Sequence, residues 1–281
     1  MKQNYRIVSL YSGSGGNSTF IRIGDIALLI DAGKSARALC RALDEIGEDI
    51  ENISAIFITH EHTDHIAALE VLTKKHPMPI HITEGSADKV CCRCAEHLLS
   101  CLVVEKTEFS VKLGDVRISS FRTPHDSRMS VGYRIEFSDG EQERAIGYAT
   151  DIGYISEEIR QNLLGCEAVV LESNHDVDML RDGPYPYDLK QRVASKRGHL
   201  SNCECAEFAI ELADHGTRAI MLAHLSKENN DPCLALDETE RAVSGLGVKI
   251  TVSHPDEPRE LIFPKEEDIN AEREIYNPWN A

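Results

Sequence analysis

His60-Glu61-His62-Thr63-Asp64-His65 decides how the rest of this chain is read. Four residues with ligand chemistry fall within six positions, directly after the β-branched run 54–59 and directly before Ile66, Leu69, Leu72 and Thr73 at helical spacing. The cluster therefore stands at a predicted strand-to-helix junction. Loop geometry there lets the imidazoles at i and i+2 face one cation, and Asp64 and His65, opening the helix, can face a second. A lone histidine on an apolar face is usually a satisfied core residue, whereas four donors at this spacing make a metal site.

Working upstream, the apolar runs 5–11, 18–23 and 26–31 are separated by Gly-containing turns and read as successive strands. Residues 35–46 set Ala36, Leu39, Cys40, Leu43 and Ile46 at helical spacing, with Gly47 as a stop signal. Downstream, Gly114-Asp115 joins runs 109–113 and 116–121 as a hairpin, and Asp139-Gly140 joins 130–137 and 145–150 as another. The second half alternates strand 168–172, helix 203–215, strand 218–223, helix 234–246 and strand 248–252. Mixed strands and helices, with sheets covered by helices, are what periodicity alone establishes.

With 281 residues, 42% hydrophobic and 27% charged, the chain has the apolar material for one large domain. We set that domain at 1–263 and read 264–281 as an acidic C-terminal extension, since eight acidic but only three basic residues lie between Asp256 and Glu274. No apolar run reaches the length of a membrane span, and Met1-Lys2-Gln3-Asn4 lacks the basic-then-apolar pattern of a secretory signal. The expected location is the cytoplasm, with no membrane partner. Nine scattered cysteines, an odd count, fit reduced thiols rather than a disulfide framework. Cys91-Cys92-Arg93-Cys94 has no second pair at zinc-ribbon spacing and falls in a predicted helix, so it is read as structural. A formal charge of −17 excludes broad, non-specific adhesion to polyanions, although local charge can override it.

The quoted segment resembles the H-x-H-x-D-H signature of the metallo-β-lactamase superfamily, and further phrases extend the resemblance. Asp31 in Leu28-Leu29-Ile30-Asp31-Ala32-Gly33 matches the family's early buried aspartate, which orients the histidine loop. His125 in Thr123-Pro124-His125, Asp151 in Tyr148-Ala149-Thr150-Asp151 and His224 in Leu222-Ala223-His224 match the remaining ligands in order. The resemblance implies a four-layered αββα sandwich of the α/β (α+β) class, with two divalent metal ions, Zn²⁺ or Mn²⁺, and no other cofactor. The first ion takes His60, His62, His125 and one oxygen of Asp151. The second takes Asp64, His65, His224 and the other oxygen, with a hydroxide bridging the pair. The ligand set excludes the flavodiiron branch, which has a carboxylate where His62 stands and carries a flavin-binding domain, and so argues against a redox role.

Tyr11-Ser12-Gly13-Ser14-Gly15-Gly16-Asn17-Ser18, Leu171-Glu172-Ser173-Asn174-His175-Asp176, Gly183-Pro184-Tyr185-Pro186, Gly198-His199-Leu200-Ser201-Asn202 and Leu225-Ser226-Lys227-Glu228-Asn229-Asn230 together resemble the YycJ (WalJ) family of this fold, from about residue 5 to 263. That resemblance implies a metal-dependent phosphodiesterase, a DNA 5′-exonuclease, with DNA as the polymer bound and RNA as its alternative. A small-molecule hydrolase acting on a phosphodiester, thioester or lactone at the same centre is the competing enzyme reading. A metal-stabilised binding protein is the third, disfavoured because structural zinc sites are normally closed and seldom binuclear.

Asp64, His199 and His175 are the catalytic candidates. His199 and Ser201 precede a predicted helix whose free N–H groups favour an anion, though the same residues also read as a plain capping motif with Glu204. Lys190, Arg192, Lys196 and Arg197 place four cations within eight residues of an acidic protein. They read as a solvated helix face or as a track for a nucleic-acid backbone, and Lys196, Arg197 and Arg128 are taken as substrate contacts. Gly13-Ser14-Gly15-Gly16 reads first as a tight turn between strands and only second as an anion loop.

Overall fold

The computed structural model describes residues 5–92, 94–140 and 142–264, so the predicted acidic extension falls outside it from residue 265 onward. β1 (Tyr5–Tyr11), β2 (Ser18–Ile23) and β3 (Ile26–Ile30) form an antiparallel meander. β4 (Ala55–Phe57), β5 (Ile80–Thr83) and β6 (Leu102–Glu105) continue it in parallel. The second sheet begins antiparallel with β7 (Ser110–Leu113), β8 (Val116–Arg122), β9 (Val131–Ser138) and β10 (Glu143–Ala149). It continues in parallel through β11 (Ala168–Glu172), β12 (Ala219–Ala223) and β13 (Lys249–Val252). β14 (Arg259–Glu260) returns to the outer edge of β1, so each sheet has seven strands.

Alternation along the strands builds the layers. In β3, Ala27 and Leu29 turn toward one core while Leu28 and Ile30 turn toward another, as a period of two requires. The first core packs against helices α1 (Ala36–Glu45), α3 (Leu69–Lys75), α4 (Glu84–Cys91) and α5 (Glu96–Leu99), with the single turn α2 (Thr63–Ile66) between α1 and α3. The second core lies between the sheets and takes Ala168 and Val170 from β11. Val169 and Leu171 face the third core, under α6 (Glu157–Leu163), α9 (Asn202–Asp214) and α10 (Pro232–Ala242). The short helices α7 (Val177–Asp182) and α8 (Tyr187–Val193) fill the connection before α9. Three cores between four layers are the αββα sandwich, and each fully buried Leu or Ile side chain in them is worth about 1.5–3 kcal/mol.

The differences from the predicted elements have local causes. Run 54–59 pairs as a strand only over Ala55–Phe57, and the Thr59 N–H goes to the carboxylate of Asp31 at 2.8 Å instead of a neighbouring strand. Helix α10 starts two residues before the predicted 234–246 because Asp231 caps it and Pro232 occupies its first turn. The predicted helix over the cysteine cluster ends at Cys91, and all nine cysteines are free thiols. β5 and β6 and the helices α5 to α8 are too short for apolar periodicity to declare them. Gly13-Ser14-Gly15-Gly16 is the tight β1–β2 turn, closed by Gly16 N–H to Gly13 C=O at 3.0 Å. No helix among the described residues is long and apolar enough to cross a membrane.

One glycine sets the position of the histidine loop. A Cβ on Gly33 would stand 1.9 Å from the carbonyl oxygen of Asp64 and 2.4 Å from the backbone nitrogen of Asn17. The β3 exit and the start of α2 therefore meet backbone to backbone. Gly33→Ala is expected to cost about 1–3 kcal/mol in urea unfolding, whereas Gly15→Ala, with nothing within 4 Å, leaves stability near wild type.

Candidate metal centre

The side chains with ligand chemistry leave the carboxyl ends of strands that run parallel within each sheet. Asp31 follows β3, the 60–65 loop follows β4, Asp151 follows β10, Glu172 closes β11 and His224 follows β12. Four non-glycine residues among those described adopt positive φ, and three belong here: Asp31 at 62°, Asp151 at 57° and His224 at 57°. Left-handed backbone costs roughly 1–3 kcal/mol per residue and persists only where surrounding contacts enforce it. At these three positions it lets the chain leave a strand end and turn its side chain inward.

His60, His62 and His125 bring one donor each to a common point, within 4.8 Å of one another, and Asp64, His65 and His224 form a second such group. Asp151 stands between them, with Oδ1 3.8 Å from His125 Nε2 and Oδ2 3.4 Å from His65 Nε2. Asp151 is buried, as are His60, His65, His125 and His224.

Behind the imidazoles lie two fully buried carboxylates. Asp31 accepts from Thr59 N–H and from Thr59 Oγ1, both at 2.8 Å, and faces His65 Nδ1 at 2.8 Å. Glu172 accepts from Ile152 N–H at 2.7 Å and Leu200 N–H at 3.3 Å through one oxygen. Its other oxygen meets His199 Nδ1 at 2.7 Å and His224 Nδ1 at 3.0 Å. His125 is oriented in the same manner, its Nδ1 3.2 Å from the Gly198 carbonyl. For His65, His125 and His224 the engaged Nδ1 leaves Nε2 for the cluster, where it lies 3.4–3.8 Å from a carboxylate oxygen of Asp151 or Asp64.

Burial and charge set the protonation. Burial alone would lower His65, but the carboxylates of Asp31 and Asp151 push it up to about 10. His224 is likewise raised far above its ordinary value against its burial, chiefly by the carboxylate of Asp151 and by those of Asp64 and Glu172. His60 moves down, because it is buried beside His65, His125 and His62. Glu172 stays well below the usual carboxylate range despite burial, held there by His199 and His224.

Whether this pocket suits divalent ions is decided by its unsatisfied donors. His125 Nε2, Asp151 Oδ2 and His224 Nε2 are buried without a hydrogen-bond partner, an unfavourable state for a protein interior. His125 belongs to the first group, His224 to the second and Asp151 stands between them, and mixed imidazole and carboxylate donors suit Zn²⁺, Mn²⁺ or Fe²⁺. The residues present therefore fit the ions that the architecture implies.

Other predicted site residues are distributed around this centre. His199 joins a group with Asp151, Glu172 and His224. His175 does not: it is buried, its Nδ1 has no partner, and its backbone pairs with Ser201. Ser201 caps α9 in a reciprocal box with Glu204, so its hydroxyl is already engaged. Arg197 donates to the His125 carbonyl at 3.3 Å, Lys196 lies on the exposed rim, and Arg128 lines a cleft with Asp88, Lys89 and Cys92. Sequence reasoning assigned no role to Glu172, although a carboxylate closing the apolar run Ala168-Val169-Val170-Leu171 was a signal. It also passed over Glu61, which accepts from Ser86 Oγ at 2.9 Å and Arg128 N–H at 3.1 Å and so ties the histidine loop to α4 and to the loop of His125.

Comparison with known proteins agrees with this geometry. Residues 27–225 match the family model described as a β-lactamase superfamily domain. The chain is 35% identical over 246 residues to the exodeoxyribonuclease YycJ of Bacillus anthracis, covering 85% of this chain and 90% of that protein. It is 36% identical over 251 residues to the exodeoxyribonuclease WalJ of Streptococcus pneumoniae, covering 86% and 91% respectively. Among solved structures, the metallo-β-lactamase fold protein YhfI from Bacillus subtilis superposes with a TM-score of 0.67 at 16% identity, over 92% of this chain and 100% of that one.

Because His65 and His224 hold protons in the ion-free protein at neutral pH, a cation must displace them. Metal affinity is expected to rise with pH, and calorimetric titrations in buffers of different ionisation enthalpy should show proton release; binding that is independent of pH between about 6 and 8 would contradict this. Asp31→Asn, which removes the charge behind His65, should weaken metal binding about 10- to 100-fold in chelator competition.

Proposed function

The chain belongs to the metallo-β-lactamase superfamily of hydrolases, and from that premise we propose that it is a metal-dependent nuclease that shortens DNA from its 5′ ends. The observation that carries the reading is the pairing of His199 with Glu172 beside the two ligand groups. Its support from outside the site is the similarity, at 35–36% identity, to two exodeoxyribonucleases across nearly their whole length.

We assign one ion to His60, His62 and His125, a second to Asp64, His65 and His224, and Asp151 to both. Two divalent ions, when bound, supply positive charge to phosphoryl oxygens and acidify water. The chain's own residues supply the rest. Burial opposes a charge on His199, yet the Glu172 carboxylate raises its pKa, so the ring holds a proton while Nδ1 is fixed. Nε2 is then the atom that donates to a phosphate oxygen or to the departing alkoxide. Burial of Asp151 and His65 keeps bulk water from screening these charges. Arg197, anchored on the His125 carbonyl, and Lys196 beside it are assigned to the phosphate backbone.

End-labelled single- and double-stranded DNA and RNA, followed in time on gels with Mn²⁺- or Zn²⁺-loaded protein, test the reading. Progressive loss of nucleotides from the 5′ end is expected, and none with Asp64→Ala or His224→Ala. Cleavage of no polymer, with turnover of a small phosphodiester or acyl ester, would overturn it.

His199→Ala should lower the rate about 10²- to 10⁴-fold while metal content stays at the wild-type level; parallel loss of metal would make His199 a ligand instead. Since His199 acts in its protonated form, activity falls as pH rises through its pKa. Glu172→Gln removes the charge that raises that pKa, so the descending limb of the pH–rate profile should move to lower pH.

A further inference from the structure

The loop that carries Asp151 continues into Gly153 and Tyr154, and Tyr154 is 40% exposed. This turn is fixed against two neighbours. Gly153 N–H donates to the Pro124 carbonyl at 2.8 Å, one residue before His125. A Cβ on Gly153 would lie 2.4 Å from the Lys196 carbonyl and 2.7 Å from the Arg197 nitrogen, so backbone meets backbone there as well. The Lys196 ammonium consequently lies 6.0 Å from the centroid of the Tyr154 ring. Arg197 reaches the His125 carbonyl through Nε and Nη2, both at 3.3 Å, and Arg192 pairs with Asp126 at 2.5 Å.

An aromatic face and three exposed cations thus share one rim, beside His125 and Asp151. Among the described residues neither Lys196 nor Arg197 forms an ion pair with a carboxylate, in a chain of net charge −17. Positive charge left uncompensated in such a protein attracts an anion locally. A ring beside it offers a stacking surface that a duplex, with its bases already stacked, does not use. Alternation of sugar-phosphate charge with unstacked bases is the chemistry of single-stranded nucleic acid.

We propose that Tyr154, Lys196 and Arg197 form a binding rim for a single-stranded end, with a base stacked on Tyr154 and the adjoining phosphates on the two cations. The rim rests on the nuclease reading and specifies its substrate: an unpaired strand enters over Tyr154 before it reaches the ligand groups. A duplex is engaged there only after its end has frayed.

The test is fluorescence anisotropy with metal-loaded protein and a short labelled phosphorothioate DNA, compared as a single strand and as a blunt duplex, alongside the cleavage gels. Tyr154→Ala is expected to weaken binding of the strand about 5-fold or more, and Tyr154→Phe, which keeps the ring, to stay within about twofold of wild type. Lys196→Ala should reduce the slope of log affinity against log salt by about 0.7. Strand affinity unchanged in Tyr154→Ala, equal loss in Tyr154→Ala and Tyr154→Phe, or equal wild-type affinity for strand and blunt duplex would each overturn the rim. Binding that follows the expected pattern without shortening of any strand keeps the rim and removes the nuclease, whereas shortening with strand binding indifferent to Tyr154 does the reverse.

Discussion

Everything at this site depends on two carboxylates held entirely inside the protein, Asp31 in the first sheet and Glu172 in the second. Burying an ionised group costs several kcal/mol unless hydrogen bonds and an opposite charge offset it. Both residues meet that condition in the same manner, each accepting from backbone N–H groups and from at least one imidazole. The N–H donors come from the very segments that carry the ligands and His199. Thr59 precedes His60, Ile152 follows Asp151, and Leu200 follows His199. Each carboxylate therefore sets a loop and a ring at once, and an error in either would displace donors from both groups.

Asp151 is where the two sheets join chemically, because its oxygens face His125 on one side and His65 on the other. Glu61 adds a second tie between them, from the histidine loop to α4 and to the backbone of Arg128. Left-handed backbone at Asp31, Asp151 and His224 shows the energetic cost of this convergence. The three apolar cores supply the stability that tolerates it.

Four ligand residues were legible because they fall within six positions, and His125, Asp151 and His224 because the phrases around them resemble those of the metallo-β-lactamase superfamily. The long strands were legible for a similar reason: Tyr5–Tyr11 and Ala168–Glu172 begin and end where the apolar run does. What stayed hidden depends on contacts far apart in the chain. Glu172 acquires its importance from His199 and His224, 27 and 52 positions away, and no local pattern announces that. Ser201 was open between a cap with Glu204 and an anion contact, and its hydroxyl, 2.6 Å from the Glu204 carboxylate, is engaged in the cap. His175, in a phrase that otherwise marks the site, is buried and pairs through its backbone with Ser201, a contact 26 positions away.

Net charge argues against broad, non-specific adhesion to polyanions, and the local charge that can override it is supplied by Lys196 and Arg197 on the rim beside His125 and Asp151. Local field rather than total charge governs what reaches the ligand groups. The most direct test of the account is the anomalous diffraction of metal-loaded crystals, which locates each ion by its own scattering. Two ions flanking the Asp151 carboxylate, one beside His60, His62 and His125 and the other beside Asp64, His65 and His224, are the expected result. A single ion closed off by four protein ligands, or ions bound away from Asp151, would contradict it.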